Sequence, residues 1–275
     1  MNQIIRGGWR RWYLDCGSSE EVVVLLHGIP TNHQLWSGVA DELTGDVRVI
    51  APDLTGFGMS DLPSSADLSP GGQATDIFGF LDDLGVGRFH LVVHDYGFLV
   101  GCEMISAAPD RIRSLVVTNT SIRRADWRGA GPNPLRLVKI PVVGEIAFSF
   151  AQRWMLKLAF RPFIADPAHL TEGLLDAFWE PFEHGFDRTL LRLFRAEYVD
   201  GTVENRWRDA LRAHAGPALV VWGSRDPAFR VDRGHEIADL IPRAELIGLE
   251  RSNHFVPLDQ PRALARLIRR CALAH

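Results

Sequence analysis

Residues 89–107 read FHLVVHDYGFLVGCEMISA, and this stretch decides the fold. Phe89 to Val93 is an apolar run of the kind that forms a strand buried on both faces. Phe98 to Ala107 reads as a helix. Between them Val93-His94-Asp95-Tyr96-Gly97 leaves room only for a sharp turn from strand into helix. Such a turn lifts one side chain above the sheet edge, and a glycine two positions after the apex lets the backbone pass closely. The apex residue is usually a serine; here it is Asp95. The carboxyl end of a parallel strand, facing a helix N-terminus, favours an anion.

Working outward, short β-branched runs alternate with helical stretches, the pattern of a mostly parallel α/β sheet flanked by helices. Val22 to Leu26 reads as a strand broken by His27-Gly28-Ile29-Pro30, and Gln34 to Leu43 as a short helix. Val47 to Ala51 is a second strand, ended by Pro52 and the loop Asp53 to Gly58. Gln73 to Leu84 places Ile77, Phe80, Leu81 and Leu84 on one helical face. After the strand Leu115 to Thr118 the pattern changes: from about residue 122 to 215 no strand is evident, and apolar helical stretches carry Trp127, Trp154, Trp179 and Trp207. Strands resume at Ala218 to Trp222 and Ala244 to Leu249, and Arg262 to Ala274 closes the chain as a helix. There is no internal repeat.

Composition narrows the function classes. The chain has 275 residues, 46% hydrophobic and 23% charged, which suits a globular protein with a large core. A net charge of −4 provides no basic face for nucleic acid or an anionic membrane, so neither is expected as a partner. Cys16, Cys102 and Cys271 are too few and too dispersed for a disulfide framework or a metal site. The first twenty residues carry Arg6, Arg10, Arg11 and Asp15 without an apolar core, so no signal peptide is expected, and no apolar run approaches the ~20 residues that span a bilayer. The expected location is cytoplasmic.

A carboxylate nucleophile attacks an sp3 carbon in line and leaves an alkyl ester on the enzyme, which water must then hydrolyse with the help of a general base. An aspartate before a helix can also be a plain N-cap, so the remaining residues decide. Asn253-His254 lies between the last strand and the last helix, where a base belongs in the chain order nucleophile, acid, base. Asp226, after the strand that resumes the sheet, can accept the other imidazole N–H and stabilise the imidazolium. The corresponding place one strand earlier holds Asn119 and Thr120, neither acidic. The backbone N–H of Ile29, after His27-Gly28, and that of Tyr96, after the apex, form a two-donor anion hole.

The set Leu26-His27-Gly28-Ile29-Pro30-Thr31, the run Ala51 to Asp61 (APDLTGFGMSD), Val93-His94-Asp95-Tyr96-Gly97 and Asn253-His254-Phe255 resembles the haloalkane dehalogenase and epoxide hydrolase branch of the α/β-hydrolase superfamily. The resemblance covers nearly the whole chain and is weakest in the insertion. It implies an α/β-hydrolase core at 1–121 and 216–275 with a helical cap at 122–215 and an Asp95–His254–Asp226 triad; no cofactor or metal is expected, since the sequence has no His/Cys cluster or phosphate-binding loop. It also implies hydrolysis of a small, largely apolar substrate by water, releasing halide if the substrate is a haloalkane. Two departures bear on that choice. Dehalogenases of this branch usually have a tryptophan after the nucleophile to hold the halide, where this chain has Tyr96; Tyr96 or a cap tryptophan (Trp127, Trp154 or Trp179) would then be the donor. Epoxide hydrolases usually bring two cap tyrosines to the opening oxygen, and this cap has one, Tyr198, so that His169 or His184 would have to assist. The several tryptophans favour a haloalkane over an epoxide. A non-catalytic binding protein on the same fold is the rival class, and ester hydrolysis ranks lower, because attack by Asp on an acyl carbon gives only an anhydride. Monomer and homodimer are both compatible with the sequence.

Overall fold

The structure, a computed structural model, describes residues 2–127, 138–196 and 198–273. Part of the expected cap (128–137), residue 197 and Ala274 of the expected closing helix lie outside these residues.

The described strands are β1 (Asn2–Arg6), β2 (Trp9–Cys16), β3 (Val22–Leu26), β4 (Arg48–Pro52), β5 (Phe89–His94), β6 (Ile112–Thr118), β7 (Ala218–Gly223) and β8 (Glu245–Leu249). They form one sheet in the order β1-β2-β4-β3-β5-β6-β7-β8. The first two strands are antiparallel, and every pairing from β4 onward is parallel. The expected strands are present within a few residues of their expected ends. The antiparallel β1–β2 hairpin is an addition, turned by Gly7-Gly8 with both φ angles positive (59° and 87°), the conformation a two-residue hairpin turn needs.

The described helices, in chain order, are α1 (Ser37–Leu43), α2 (Pro70–Asp83), α3 (Tyr96–Ala107), α4 (Arg124–Trp127), α5 (Val143–Ser149), α6 (Arg153–Phe160), α7 (Glu172–Glu183), α8 (Phe186–Arg195), α9 (Gly201–Ala213), α10 (Val231–Leu240), α11 (Val256–Asp259) and α12 (Pro261–Ala272). Successive strand residues point to opposite faces, and the core divides accordingly. Val22, Val24 and Leu26 of β3 pack with Ile77, Phe80, Leu99 and Ile237 of α2, α3 and α10. Val23 and Leu25 pack with Val39, Leu43, Leu264 and Ile268 of α1 and α12.

Helices α4 to α9 lie in the long connection from β6 to β7. The last of them returns to the sheet layer: Trp207 of α9 is fully buried and donates its indole N–H to Glu103 of α3 at 2.9 Å, and Arg206 pairs with the same carboxylate. Although the sequence reading extends the insertion to residue 215, α9 is thus packed as a core helix. Among the described residues no helix is long and apolar enough to cross a membrane.

Candidate active site

Asp95 directly follows β5 with φ 50° and ψ −122°, a backbone conformation that a non-glycine residue adopts only when its surroundings impose it. Those surroundings are visible. The Asp95 N–H donates to the Asn119 carbonyl at 3.2 Å, and the Thr120 hydroxyl donates to the Asp95 carbonyl at 2.8 Å. A Cβ on Gly97 would lie 2.6 Å from the carbonyl oxygens of Leu26 and His27, and one on Gly28 would lie 2.3 Å from the Asp95 side chain. Glycine at both positions lets α3 and the His27-Gly28 turn close on the apex.

The Asp95 carboxylate makes no N-cap hydrogen bond to α3, which removes the plain capping role considered from sequence. Instead the Ile29 N–H donates to Asp95 Oδ1 at 2.8 Å, and the Tyr96 N–H also favours the charged carboxylate. His27 holds the turn that carries Ile29. Its Nε2 accepts from the Leu54 N–H at 3.1 Å while Nδ1 faces the Gly28 carbonyl at 3.0 Å. Burial pushes the His27 pKa down to about 4, so this ring is neutral near neutral pH.

His254 stands opposite. Its Nδ1 lies 3.0 Å from Asp226 Oδ2, and its Nε2 lies 3.8 Å from Asp95 Oδ2. Asp226 is fixed from two further directions: Asn119 Nδ2 donates to Oδ2 at 2.7 Å and the Ala228 N–H to Oδ1 at 2.7 Å. Asn119 is itself anchored, its Oδ1 accepting from the Gly223 N–H at 2.9 Å. In the sequence Asn119 registered only as a place without an acid; in the structure it orients the acid of the neighbouring strand. All three ionisable side chains are buried. Burial raises the Asp95 pKa above the ordinary carboxylate range, opposed by the His254 charge and the two N–H groups. Burial lowers the His254 pKa, but the carboxylates of Asp226 and Asp95 outweigh it, and the net shift is upward. His94 packs against His254 with ring centroids 4.7 Å apart. Its pKa is held well below the ordinary value, by burial first and by His254 second. It therefore adds no charge beside His254.

Asp95, Tyr96 and His254 open into a cavity of about 680 Å³ between the sheet edge and the inserted helices. Its walls include Phe148, Phe160, Phe163, Phe182, Phe194 and Phe229, so it suits an apolar ligand held by few polar groups. Of the sequence candidates in the insertion, Trp127 and Tyr198 line this cavity. Trp154 does not; it sits on the outer side of α6 and is 63% exposed. Trp179 also stands outside, stacked on Phe182 and donating its indole N–H to Glu183 at 2.9 Å, one helical turn away. The two histidines considered as second proton donors are elsewhere as well. His169 pairs with Asp259, and His184 borders a separate groove with Gly185 and Thr189.

Two expected leaving-group donors are already engaged. The Tyr96 hydroxyl donates to the Leu68 carbonyl at 2.7 Å, so Tyr96 faces the site with its backbone N–H and ring rather than its hydroxyl. The Trp127 indole N–H donates to the Ser121 carbonyl at 2.8 Å. By contrast, the Tyr198 hydroxyl has no hydrogen-bond partner among the described residues. Among the described residues no group of three or more His, Cys, Asp or Glu side chains could hold a metal ion.

Comparison with known proteins agrees with the fold. The alpha/beta hydrolase fold family matches residues 21–261. A cis-3-alkyl-4-alkyloxetan-2-one decarboxylase of Xanthomonas campestris is 27% identical, with 96% of this chain and 93% of that protein aligned. The dihydrolipoyllysine-residue acetyltransferase component of an acetoin cleaving system of Pseudomonas putida is 30% identical over 93% of this chain and 64% of its own length. Among solved structures, a loop variant of the haloalkane dehalogenase DbeA from Bradyrhizobium elkanii superposes with a TM-score of 0.80 at 22% identity, covering 99% of this chain and 97% of the other. These proteins are named for three different chemistries, so the shared fold does not select among them.

Proposed function

Because the chain belongs to the alpha/beta hydrolase fold family, we propose that it is a hydrolase that attacks an sp3 carbon of an apolar substrate with the Asp95 carboxylate, through an alkyl ester on Asp95. The carrying observation is the asymmetry of that carboxylate: Oδ1 is held by the Ile29 N–H, whereas Oδ2 lies 3.8 Å from Nε2 of His254. In this reading Oδ2 forms the new bond to carbon as the bond to the leaving group breaks. His254 then takes a proton from water, with Asp226 stabilising the imidazolium, and the resulting hydroxide adds to the ester carbonyl carbon. The N–H groups of Ile29 and Tyr96 hold the oxyanion that forms at Oδ1. Collapse breaks the bond from carbonyl carbon to Oδ2, His254 returns its proton to the departing alkoxide, and the water oxygen stays in Asp95, whose own acid proton is then lost to solvent or, after ring opening, restores the Tyr198 hydroxyl.

The leaving group is best read as an oxygen of a strained ring, with an epoxide as the simplest case. The sequence preference for a haloalkane rests on tryptophan N–H donors, and of the three candidates one is engaged with Ser121 and two stand outside the cavity. Tyr198 lines the same cavity and its hydroxyl has no hydrogen-bond partner among the described residues, which makes it the candidate to give its proton to the opening oxygen. The Xanthomonas relative is named for a four-membered lactone bearing alkyl groups, also a strained ring whose oxygen is attached to an sp3 carbon. A haloalkane remains the second reading, on the strength of the dehalogenase likeness in fold; a protein that only binds its ligand is the third.

Assays with alkyl epoxides and bromoalkanes of matched chain length separate these readings. Diol formation should exceed bromide release. Tyr198→Phe should slow ring opening by about tenfold to a hundredfold, the usual loss for a hydrogen bond to developing charge, without changing bromide release. Bromide without diol would establish the haloalkane reading, and neither product the binding reading.

A further inference from the structure

Asp259, the last residue of α11, carries a fully buried carboxylate that the proposed chemistry does not use. Its two oxygens serve different parts of the chain. Oδ2 accepts from the Asn253 N–H at 2.8 Å, one residue before His254. Oδ1 accepts from the Ala165 N–H at 2.9 Å and lies 3.2 Å from Nδ1 of His169, both in the stretch between α6 and α7. Two more bonds join the same regions. Asn253 Nδ2 donates to the Pro162 carbonyl at 3.0 Å, and the Phe255 N–H to the Phe163 carbonyl at 3.1 Å. The residues on either side of His254 are thus tied to residues 162–165 of the insertion, on one side through Asp259. These ties matter because little else fixes the imidazole. Among the described residues its ring has one hydrogen-bond partner, Asp226, and its other neighbours include the rings of His94, Phe163, Phe229 and Phe255. Ring contacts limit shape without setting the distance from Nε2 to Asp95.

We infer that Asp259 is a positioning residue: it clamps the loop that carries His254 to the inserted segment 162–165 and so sets where the imidazole stands opposite Asp95. The effect on rate rests on the mechanism proposed above; the clamp itself does not. A carboxylate can accept at both oxygens, whereas a side-chain amide has one acceptor oxygen and carries donors on its nitrogen. Asp259→Asn therefore keeps the volume but can satisfy only one of the Asn253 and Ala165 N–H groups. At the other it sets donor against donor, and the loop and the insertion come apart there.

Pre-steady-state kinetics of Asp259→Asn with an alkyl epoxide test this. Ester hydrolysis should slow by about tenfold to a hundredfold, the loss expected when a catalytic group shifts by about an ångström. Ester formation needs no base and should be nearly unchanged, so intact mass spectrometry during turnover should find more protein esterified at Asp95 than in the wild type. Asp259→Ala leaves room for water to take up both N–H groups. It should slow the same step, and it decides the matter if the Asn variant does not fold. Hydrogen exchange gives a readout independent of the chemistry. In either variant the Phe255 amide should exchange about tenfold faster, although its own bond to Phe163 is untouched, while the amides of β5 keep the wild-type rate. Equal losses in both steps, with faster exchange throughout, would mean that Asp259 only stabilises the fold and would overturn the inference. Ester hydrolysis at the wild-type rate would also overturn it. If neither the wild type nor His254→Phe forms an ester, the reading of Asp95 fails instead, and exchange at Phe255 alone decides the clamp.

Discussion

The two walls of the cavity are built in opposite ways. On the sheet side each ionisable side chain of the candidate site is held by backbone or by a buried neighbour: Asp95 by Ile29, Asp226 by Asn119 and the Ala228 N–H, His254 by Asp226. On the helical side Phe148, Phe160, Phe182 and Phe194 present hydrocarbon, and the position of each depends on how whole helices pack. Directional hydrogen bonds fix an atom to within fractions of an ångström, whereas apolar contacts fix a shape and tolerate substitution of similar volume. The sheet wall is therefore suited to set the reaction and the helical wall to set what enters.

The sharpest way to break that division is at the base. On the proposed mechanism, His254→Phe leaves Asp95 free to attack but removes the base for water, so steady turnover should fall by about a hundredfold to ten-thousandfold. The alkyl ester should accumulate, and intact mass spectrometry with peptide mapping should find it on Asp95. In the wild type, a single turnover in heavy-oxygen water should label the Asp95 carboxylate; label appearing in the product of that turnover would mean that water attacks the substrate directly.

A smaller effect is expected one bond further back. Asp226→Asn removes the charge that stabilises the imidazolium and should slow ester hydrolysis more than ester formation, by about tenfold or more, giving a product burst before slow turnover. The pH profile carries the sign. His254 must be neutral to act as base, and its pKa is raised by Asp226 and Asp95 against the effect of burial. The acid limb of kcat should then lie above the ordinary histidine value of about 6.5. With Asn at position 226 burial prevails, the pKa falls, and the limb moves to lower pH even as the plateau drops. A limb that does not move would mean that His254 is not the group being titrated.

The smallest expected rate effect is at Tyr96. A hydroxyl bonded to the Leu68 carbonyl takes no part in leaving-group departure. Tyr96→Phe should alter turnover by less than about twofold, while leaving that buried carbonyl unpaired should cost about 1–3 kcal/mol in stability. Thermal unfolding and steady-state rates measured together would separate the two effects. A tenfold rate loss at unchanged stability would return Tyr96 to the leaving-group pocket.

How far each part could be read beforehand follows from the range of the interactions that make it. The strand runs, the sharp turn at Asp95 and the placement of His254 and Asp226 depend on local pattern and chain order, and the structure brings the three side chains together. The β1–β2 hairpin also had a local signal, Gly7-Gly8 between two short runs, but the arginines on either side interrupt any apolar alternation that would mark strands. Asn119 had only its place in the chain, because a hydrogen bond from one strand end to the next leaves no periodic trace.

Sequence alone determined that a carboxylate stands at the apex of a strand-to-helix turn in a mostly parallel sheet, because the backbone at such a turn restricts which residues can flank it. Tertiary structure decided which donors remain available to a leaving group. Trp127, Trp154, Trp179 and Tyr198 carry the same donor groups wherever they lie in the chain. Only packing turned one indole toward Ser121, put one on the surface and one beside Glu183, and left the hydroxyl of Tyr198, a residue lining the cavity, unpaired among the described residues. A side chain's type states which bonds it can make; the fold states which of them are already made.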